Sequence, residues 1–287
     1  MEVFDPSLFL TPFVVQSGLV CLISQCILYI LYAYILPKGP WKELPGFTAH
    51  QTVALPLMVY LTNVGISLWF FSSDSENSLM SSPEQRILNG HPVGIQVAEI
   101  AVGIQVFWDI PMCLMTPALF DPVMLLHHVG MFIVASVLAG LGSDSSLGAY
   151  YGLFFFGVIE VSSIPLAVVD VFHPKHKSWF KFLNEQQNAL SSLMRVLNDL
   201  ARVGFALSYL LVRAIYFPYV VFTSVLPDLL FVASLPDDDR SGASVGKIYF
   251  LAMAALGFVF LQLYWGTLVA KQLIKAIFGG SSDKKDS

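Results

Sequence analysis

Charge is what this 287-residue sequence has least of: 12% of its residues are Asp, Glu, Lys or Arg, against 56% apolar ones. A soluble domain carries roughly 25% charged residues, and half that density cannot cover a folded surface in water. Basic excess is missing too. A net charge of −5 and a pI of about 5.6 exclude nucleic acid as a partner, since binding its phosphates takes clustered Lys and Arg. Cysteine is scarce: Cys21, Cys26 and Cys113 all lie in apolar runs. An odd set with neither CxxC nor Cys/His spacing excludes a disulfide framework and a zinc site, leaving packing or lipid contact. There is no Asn-x-Ser/Thr sequon, no phosphate loop and no dinucleotide fingerprint. Six histidines are too few for a membrane di-iron oxygenase. No loop is long enough for a soluble domain, the longest being about 72–92.

Long apolar runs take the place of these features. A helix crossing ~30 Å of hydrocarbon needs about 20 mostly apolar residues. Seven stretches reach that length, roughly 11–36, 51–71, 93–117, 122–141, 148–172, 190–216 and 245–277, in a chain of mean hydropathy +0.70. The expected fold is all-α and integral to the membrane, with about seven transmembrane helices. The first run is no signal peptide, being too long and preceded by Glu2 and Asp5 instead of positive charge. Pro218 and Pro227 break residues 217–235, which therefore read as an interfacial or re-entrant piece and not as an eighth span. Seven spans also sort the loop charges. Lys38, Lys42, Lys175, Lys177, Lys181, Lys271, Lys275, Lys284 and Lys285 fall on one side; Arg86, Arg240 and Lys247 fall on the other, with the Asp237–Asp239 run. Positive loops stay in the cytosol, which predicts a lumenal N-terminus and a cytosolic C-terminus.

Ionisable side chains cost several kcal/mol inside hydrocarbon, so those within the spans are the functional candidates. Asp109 comes out ~12 Å, and His127 and His128 ~8–9 Å, from the same membrane face at 1.5 Å per residue. The short turn near 118–121 brings their two spans into antiparallel contact. Counted from a sixth span starting near 190, Asp199 and Arg202 lie ~14 and ~18 Å deep and share a helix face, and Glu160 lies ~18 Å from that side. These groups, with Asn198, are predicted to line one polar cavity in the cytosolic half. Adjacent histidines diverge by about 100° on a helix, unlike the i,i+3 or i,i+4 pairs that hold metal, so no metal is expected. His173 and His176, in a lysine-rich loop, read as an interfacial anchor. What remains is imidazole as general base or nucleophile, oriented by Asp109. An apolar cavity with one His–Asp pair suits acyl transfer to or from a lipid. The competing reading is that the polar groups only fasten helices, as in a structural or cargo-type membrane subunit.

Six short motifs, in order along the spans, resemble the TLC domain family, which groups translocon-associated membrane proteins, ceramide synthases and several lipid-homeostasis proteins. They are Thr48-Ala49-His50, Trp108-Asp109, Leu125-Leu126-His127-His128, the Glu-x-Ser-x-x-Pro of Glu160 to Pro165, the Arg-x4-Pro of Arg213 to Pro218, and Leu263-Tyr264-Trp265 followed by Lys271 and Lys275. The resemblance implies that spans two to seven form a barrel-like bundle around a lipid-sized cavity with the histidine pair inside. It implies domain limits of 1–40 for an N-terminal helix, 41–278 for a six-helix domain and 279–287 for a cytosolic tail. In the ceramide synthases the paired histidines help move an acyl chain from acyl-CoA to a sphingoid amine. Carried across, this makes His127 and His128 the catalytic candidates with Asp109 in support, and Glu160, Asn198, Asp199, Arg202 and Trp265 the cavity residues.

The resemblance also has departures. Residues Val129 to Gly140 do not continue with the longer polar signature of the ceramide synthases, and no homeobox-like segment is present. This resembles the shorter branch, whose members are tied to phospholipid composition, lipid sensing or cargo export. The expected role is thus lipid metabolism or homeostasis, with membrane lipids as partners and other membrane proteins unspecified. No bound cofactor is expected, and acyl-CoA is the co-substrate an acyl transfer would use. Lys284-Lys285-Asp286-Ser287 resembles a dilysine retrieval signal, which points to the endoplasmic reticulum.

Overall fold

The computed structural model describes residues 9–72, 80–142, 145–186 and 188–278; the Lys284-Lys285 tail lies outside them. Seven helices are long and apolar enough to cross a membrane: Pro12–Ile35, Pro45–Phe71, Pro83–Met115, Pro122–Ala139, Ala149–Val171, Ala189–Ser234 and Val245–Ala276. No strand occurs among the described residues. The outward faces are apolar, with Val20, Leu126 and Phe260 among many large exposed side chains. Water would not tolerate such continuous patches. The chain is a multi-pass integral membrane protein.

Local chemistry sets where the spans begin. Four of them open on proline (Pro12, Pro45, Pro83 and Pro122), where the missing N–H has no helical partner to lose. Polar caps precede three of them, the second span being preceded by Leu44. The Thr11 hydroxyl accepts from the Val14 amide, and Asp121 Oδ1 accepts from the Val123 and Met124 amides at 2.8 and 3.1 Å. Ser82 with Gln85, and Asn188 with Ser191, form reciprocal capping boxes. The second span starts at 45, not at 51 as its apolar run suggests, while the continuous helix of the third begins at Pro92, close to the expected 93, after a separate turn that opens at Pro83. Part of the expected 72–92 loop is therefore the helical turn Pro83–Leu88.

The largest departure from expectation is the sixth span. Residues 217–234 are not a separate interfacial or re-entrant piece; they continue the helix that begins at Ala189. Two wide helical turns, Tyr209–Tyr216 and Val221–Val225, make this continuation feasible. A proline ring collides with the carbonyl four residues back and cannot donate to it. Just before each proline the turn widens by one residue. The Phe217 amide, ahead of Pro218, bonds to the Val212 carbonyl, and the Leu226 amide, ahead of Pro227, bonds to that of Val221. Ile110 to Gln105 ahead of Pro111, and Leu36 to Leu31 ahead of Pro37, repeat the device in the third and first spans. Each is a five-residue step; those in the third and sixth spans open the ladder without ending it, and the one in the first span closes the helix at Ile35.

Spans two to seven ring a central chamber, and the first span packs outside against the second and third. Backbones approach closely at glycine crossings, as membrane helices favour. A methyl on Gly65 would overlap Gly157 and Val158, and one on Gly18 would overlap the Gly103 carbonyl. The loops carrying Lys38, Lys42, Lys175, Lys177 and Lys181 gather at one end, here the lysine-rich end. There the helix Lys177–Glu185 docks on the second span. His176, expected as an interfacial anchor, is instead buried with its ring 3.8 Å from that of Phe47, and Trp179 Nε1 donates to Thr48 Oγ1 at 3.1 Å. At the opposite end, buried Asp228 takes two hydrogen bonds from Arg86, at 2.5 and 2.8 Å, and one from the Tyr151 hydroxyl at 2.5 Å. Three spans are pinned at that point. Removing one partner of such a pair costs about 3–5 kcal/mol, because the other charge stays buried.

Candidate functional site

The site is built from residues at one depth. His50 lies five residues past Pro45, Asp109 six before Met115, and His127 and His128 five and six past Pro122. All are thus ~8–9 Å from the lysine-rich ends of their helices. Asp109 is buried at the end of the wide turn Gln105–Asp109. Its Oδ1 is 2.9 Å from His50 Nε2, and its Oδ2 is 3.1 Å from His128 Nδ1, an ion-pair distance not aligned as a hydrogen bond. A carboxylate can only accept. The hydrogen bond at Oδ1 therefore places a proton on His50 Nε2, while His128 Nδ1 meets Oδ2 as an ion-pair contact alone.

His127 is held differently. It makes no ion pair among the described residues; its ring meets the edges or faces of Phe258 and Trp265 at 5.6 and 5.5 Å between centroids. Its Nδ1 is buried with no hydrogen-bond partner among the described residues. The first span supports the centre from outside. Gln25 Nε2 donates to the Gly46 carbonyl at 2.9 Å, Trp108 Nε1 donates to Gln25 Oε1 at 3.3 Å, and the Trp108 ring stacks on His50 at 4.5 Å.

Asp109, His127 and His128 open on a chamber of about 390 Å³ to which all of spans two to seven contribute, from Leu61 and Asp109 to Tyr209 and Trp265. Its far wall is a second polar cluster. Arg213, buried in the wide turn of the sixth span, donates from Nε to Ser162 Oγ at 2.6 Å and from Nη2 to Ser163 Oγ at 2.9 Å. Its Nη2 is also 3.5 Å from Glu160 Oε2. Tyr209 bonds to Gln262 Oε1 at 2.8 Å. A second, narrow apolar groove shares His127, Met131 and Phe156 with the chamber and runs toward the opposite end. A hollow of about 500 Å³ lies at the lysine-rich end beside Asp121, Lys175 and Lys177.

The structure brings together five of the eight residues expected at the site: His127, His128, Asp109, Glu160 and Trp265 all border the chamber. Asn198, Asp199 and Arg202 do not. Asn198 is buried, and Asp199 and Arg202 are exposed. The reason is the length of the sixth span. Its start lies farther from the chamber than a helix ending at 216 allows, so the residues at site depth are Phe205, Tyr209 and Arg213. His50, absent from the expected set, could have been found by the depth count that found Asp109. Cys113, expected as packing, is buried beside the centre, and its sulfur and donor atoms of Asp109 and His128 lie within 4.8 Å of one another. Asp109 already has an imidazole at each of its oxygens.

Residues 49–271 match the TLC domain family, a match that starts at the site's first histidine-bearing helix and reaches into the last span. No curated protein and no solved structure matches the chain. By that match over most of its length, the chain belongs to the TLC domain family.

Proposed function

We propose that this protein binds a membrane lipid or acyl chain in the chamber and transfers an acyl group there, with His127, His128 and Asp109 as the reacting constellation. One observation carries the reading: Asp109 Oδ2 lies 3.1 Å from Nδ1 of His128, beside His127, in the wall of a mostly apolar chamber. Nε2 of His128 takes the proton from a lipid hydroxyl or amine as that group attacks the carbonyl of an acyl thioester. The thiolate leaves and receives the same proton. Asp109 stabilises the imidazolium formed in between, and His127 contacts the acyl carbonyl.

Acyl-CoA is the donor, reaching the site from the lysine-rich end. Of the lysines there, Lys175 is paired with Asp170 at 2.7 Å and Lys181 with Glu185 at 3.6 Å, while Lys177 borders the hollow. The excess of lysine supports a cytosolic reading of that end, and that orientation together with the family supports residence in the endoplasmic reticulum. The departures of residues 129–140 support the shorter branch of the family. A structural or cargo-type subunit is the second reading, favoured by Arg213–Glu160 and Arg86–Asp228, which do fasten helices.

The test compares purified wild-type protein with His127→Ala and His128→Ala, measuring co-purifying lipid by mass spectrometry and consumption of acyl-CoA. Turnover in the wild type alone is expected. Bound lipid in all three without consumption moves the reading to binding or sensing. Three equally stable, empty proteins leave the fastening role.

A further inference from the structure

Beside Asp109 stands a thiol that acyl transfer does not use. Cys113 lies four residues on in the third span, so the two side chains share a helix face. His128 approaches from the fourth span. The Cys113 sulfur, a carboxylate oxygen of Asp109 and a ring nitrogen of His128 all lie within 4.8 Å of one another. Asp109 and Cys113 are buried. His128 Nδ1, 3.1 Å from Asp109 Oδ2, is buried as well and has no hydrogen-bond partner among the described residues. The carboxylate is fixed from its other side, where Oδ1 accepts from His50 Nε2 at 2.9 Å.

We infer that Asp109, Cys113 and His128 hold a zinc(II) ion, and that the ion, when bound, stops acyl transfer. The stopping rests on the transfer reading; the binding does not. Zinc takes thiolate, imidazole and carboxylate ligands in a tetrahedron at about 2.0–2.3 Å, which sets the ligand atoms about 3.3–3.6 Å apart. The three donors are near that spacing with the helices in place, so side-chain rotation completes the set. The adjacency of His127 and His128 still argues against a metal shared by that pair; here His128 alone takes part, and Asp109 and Cys113 supply the i,i+4 partners. Charge favours the ion at this depth. Cys113 gives its thiol proton to water on binding, so one Zn²⁺, one thiolate and one carboxylate sum to zero, and no net charge enters the hydrocarbon. Thiolate and imidazole disfavour magnesium and calcium, which take oxygen ligands. Asp109 and His128 border the chamber, which gives the ion its way in and a water as fourth ligand. The His50 hydrogen bond is the outer contact that orients a metal-binding carboxylate. Coordination through His128 Nδ1 leaves the ring proton on Nε2, where transfer needs a lone pair. One set of side chains thus serves the ion or the reaction, not both.

The experiment titrates the detergent-purified full chain, freed of metal by a chelator, first with cobalt(II) and then with zinc(II). A thiolate-to-cobalt charge-transfer band in the near ultraviolet is expected, saturating at one cobalt per chain and abolished by one equivalent of zinc. Cys113→Ser and Cys113→Ala should remove the band, and Cys21→Ser should keep it. His50→Gln should weaken zinc binding about 10–100-fold. Thermal melts of the metal-free proteins establish that each variant is folded. Acyl-CoA consumption by the wild type should fall as the site fills, while Cys113→Ser should keep its metal-free rate at the same zinc concentration. No band, or a band that survives both Cys113 variants, overturns the site. A filled site with undiminished turnover overturns the stopping. A zinc site in a chain without turnover upholds the site and rejects the transfer reading, and the stopping with it. Turnover without a site does the reverse.

Discussion

Asp109 sits between two imidazoles and can stabilise a positive charge on either. Only His128 of the two borders the chamber, so His50 and Asp109 should separate in a mutant series. Asp109→Asn keeps the shape but removes the charge that stabilises the imidazolium, and should lower acyl transfer by about 10²–10⁴-fold with the protein still folded. His50→Gln leaves Oδ2 on His128 and should cost far less. Initial rates with acyl-CoA, alongside thermal melts, check both; equal losses would mean that the two imidazoles act as one unit. The sequence made Asp109 and the histidine pair legible because charge within an apolar run and a short connecting turn are both visible in one dimension. It hid Arg213, although that residue was plain in a span, because its neighbours Ser162, Ser163 and Glu160 come from a helix fifty residues away.

A helix is read from sequence by assuming one spacing throughout, and the wide turns violate that assumption where the chemistry is. Asp109 ends one such turn and Arg213 lies within another. Pro218 and Pro227 were visible as breaks, but whether a proline ends a helix or only widens it depends on packing that no local pattern carries. The result was a sixth span cut short at 216 and a site depth misplaced onto Asp199 and Arg202. Pro218→Ala tests the account. Alanine is about 3 kcal/mol better than proline inside a helix, and closing the turn by one residue rotates one side of it by about 100° against the other. Arg213 should then leave Glu160. Acyl transfer should fall with the melting temperature unchanged or raised, whereas unaltered transfer would show that neighbouring helices hold the turn open by themselves.

At the scale of the molecule, composition and hydropathy already determined a seven-span α-helical fold, because the demand for a continuous apolar helix across hydrocarbon leaves few alternatives. The glycine crossings and the Asp228 cluster were not legible, since each depends on two helices meeting at a particular register. Orientation is open to direct measurement. An Asn-x-Ser sequon placed by mutation in the Asp237–Asp239 turn should be glycosylated in cells, and one placed at Lys181 should not; the opposite pattern inverts the topology. The first span holds a separate position in this architecture. It borders neither cavity, yet Gln25 reaches Trp108 and through it the ring of His50. Severed in the connection near Gly39, it should be recaptured by the remaining six helices within the bilayer, an outcome that co-expression of the two fragments would check.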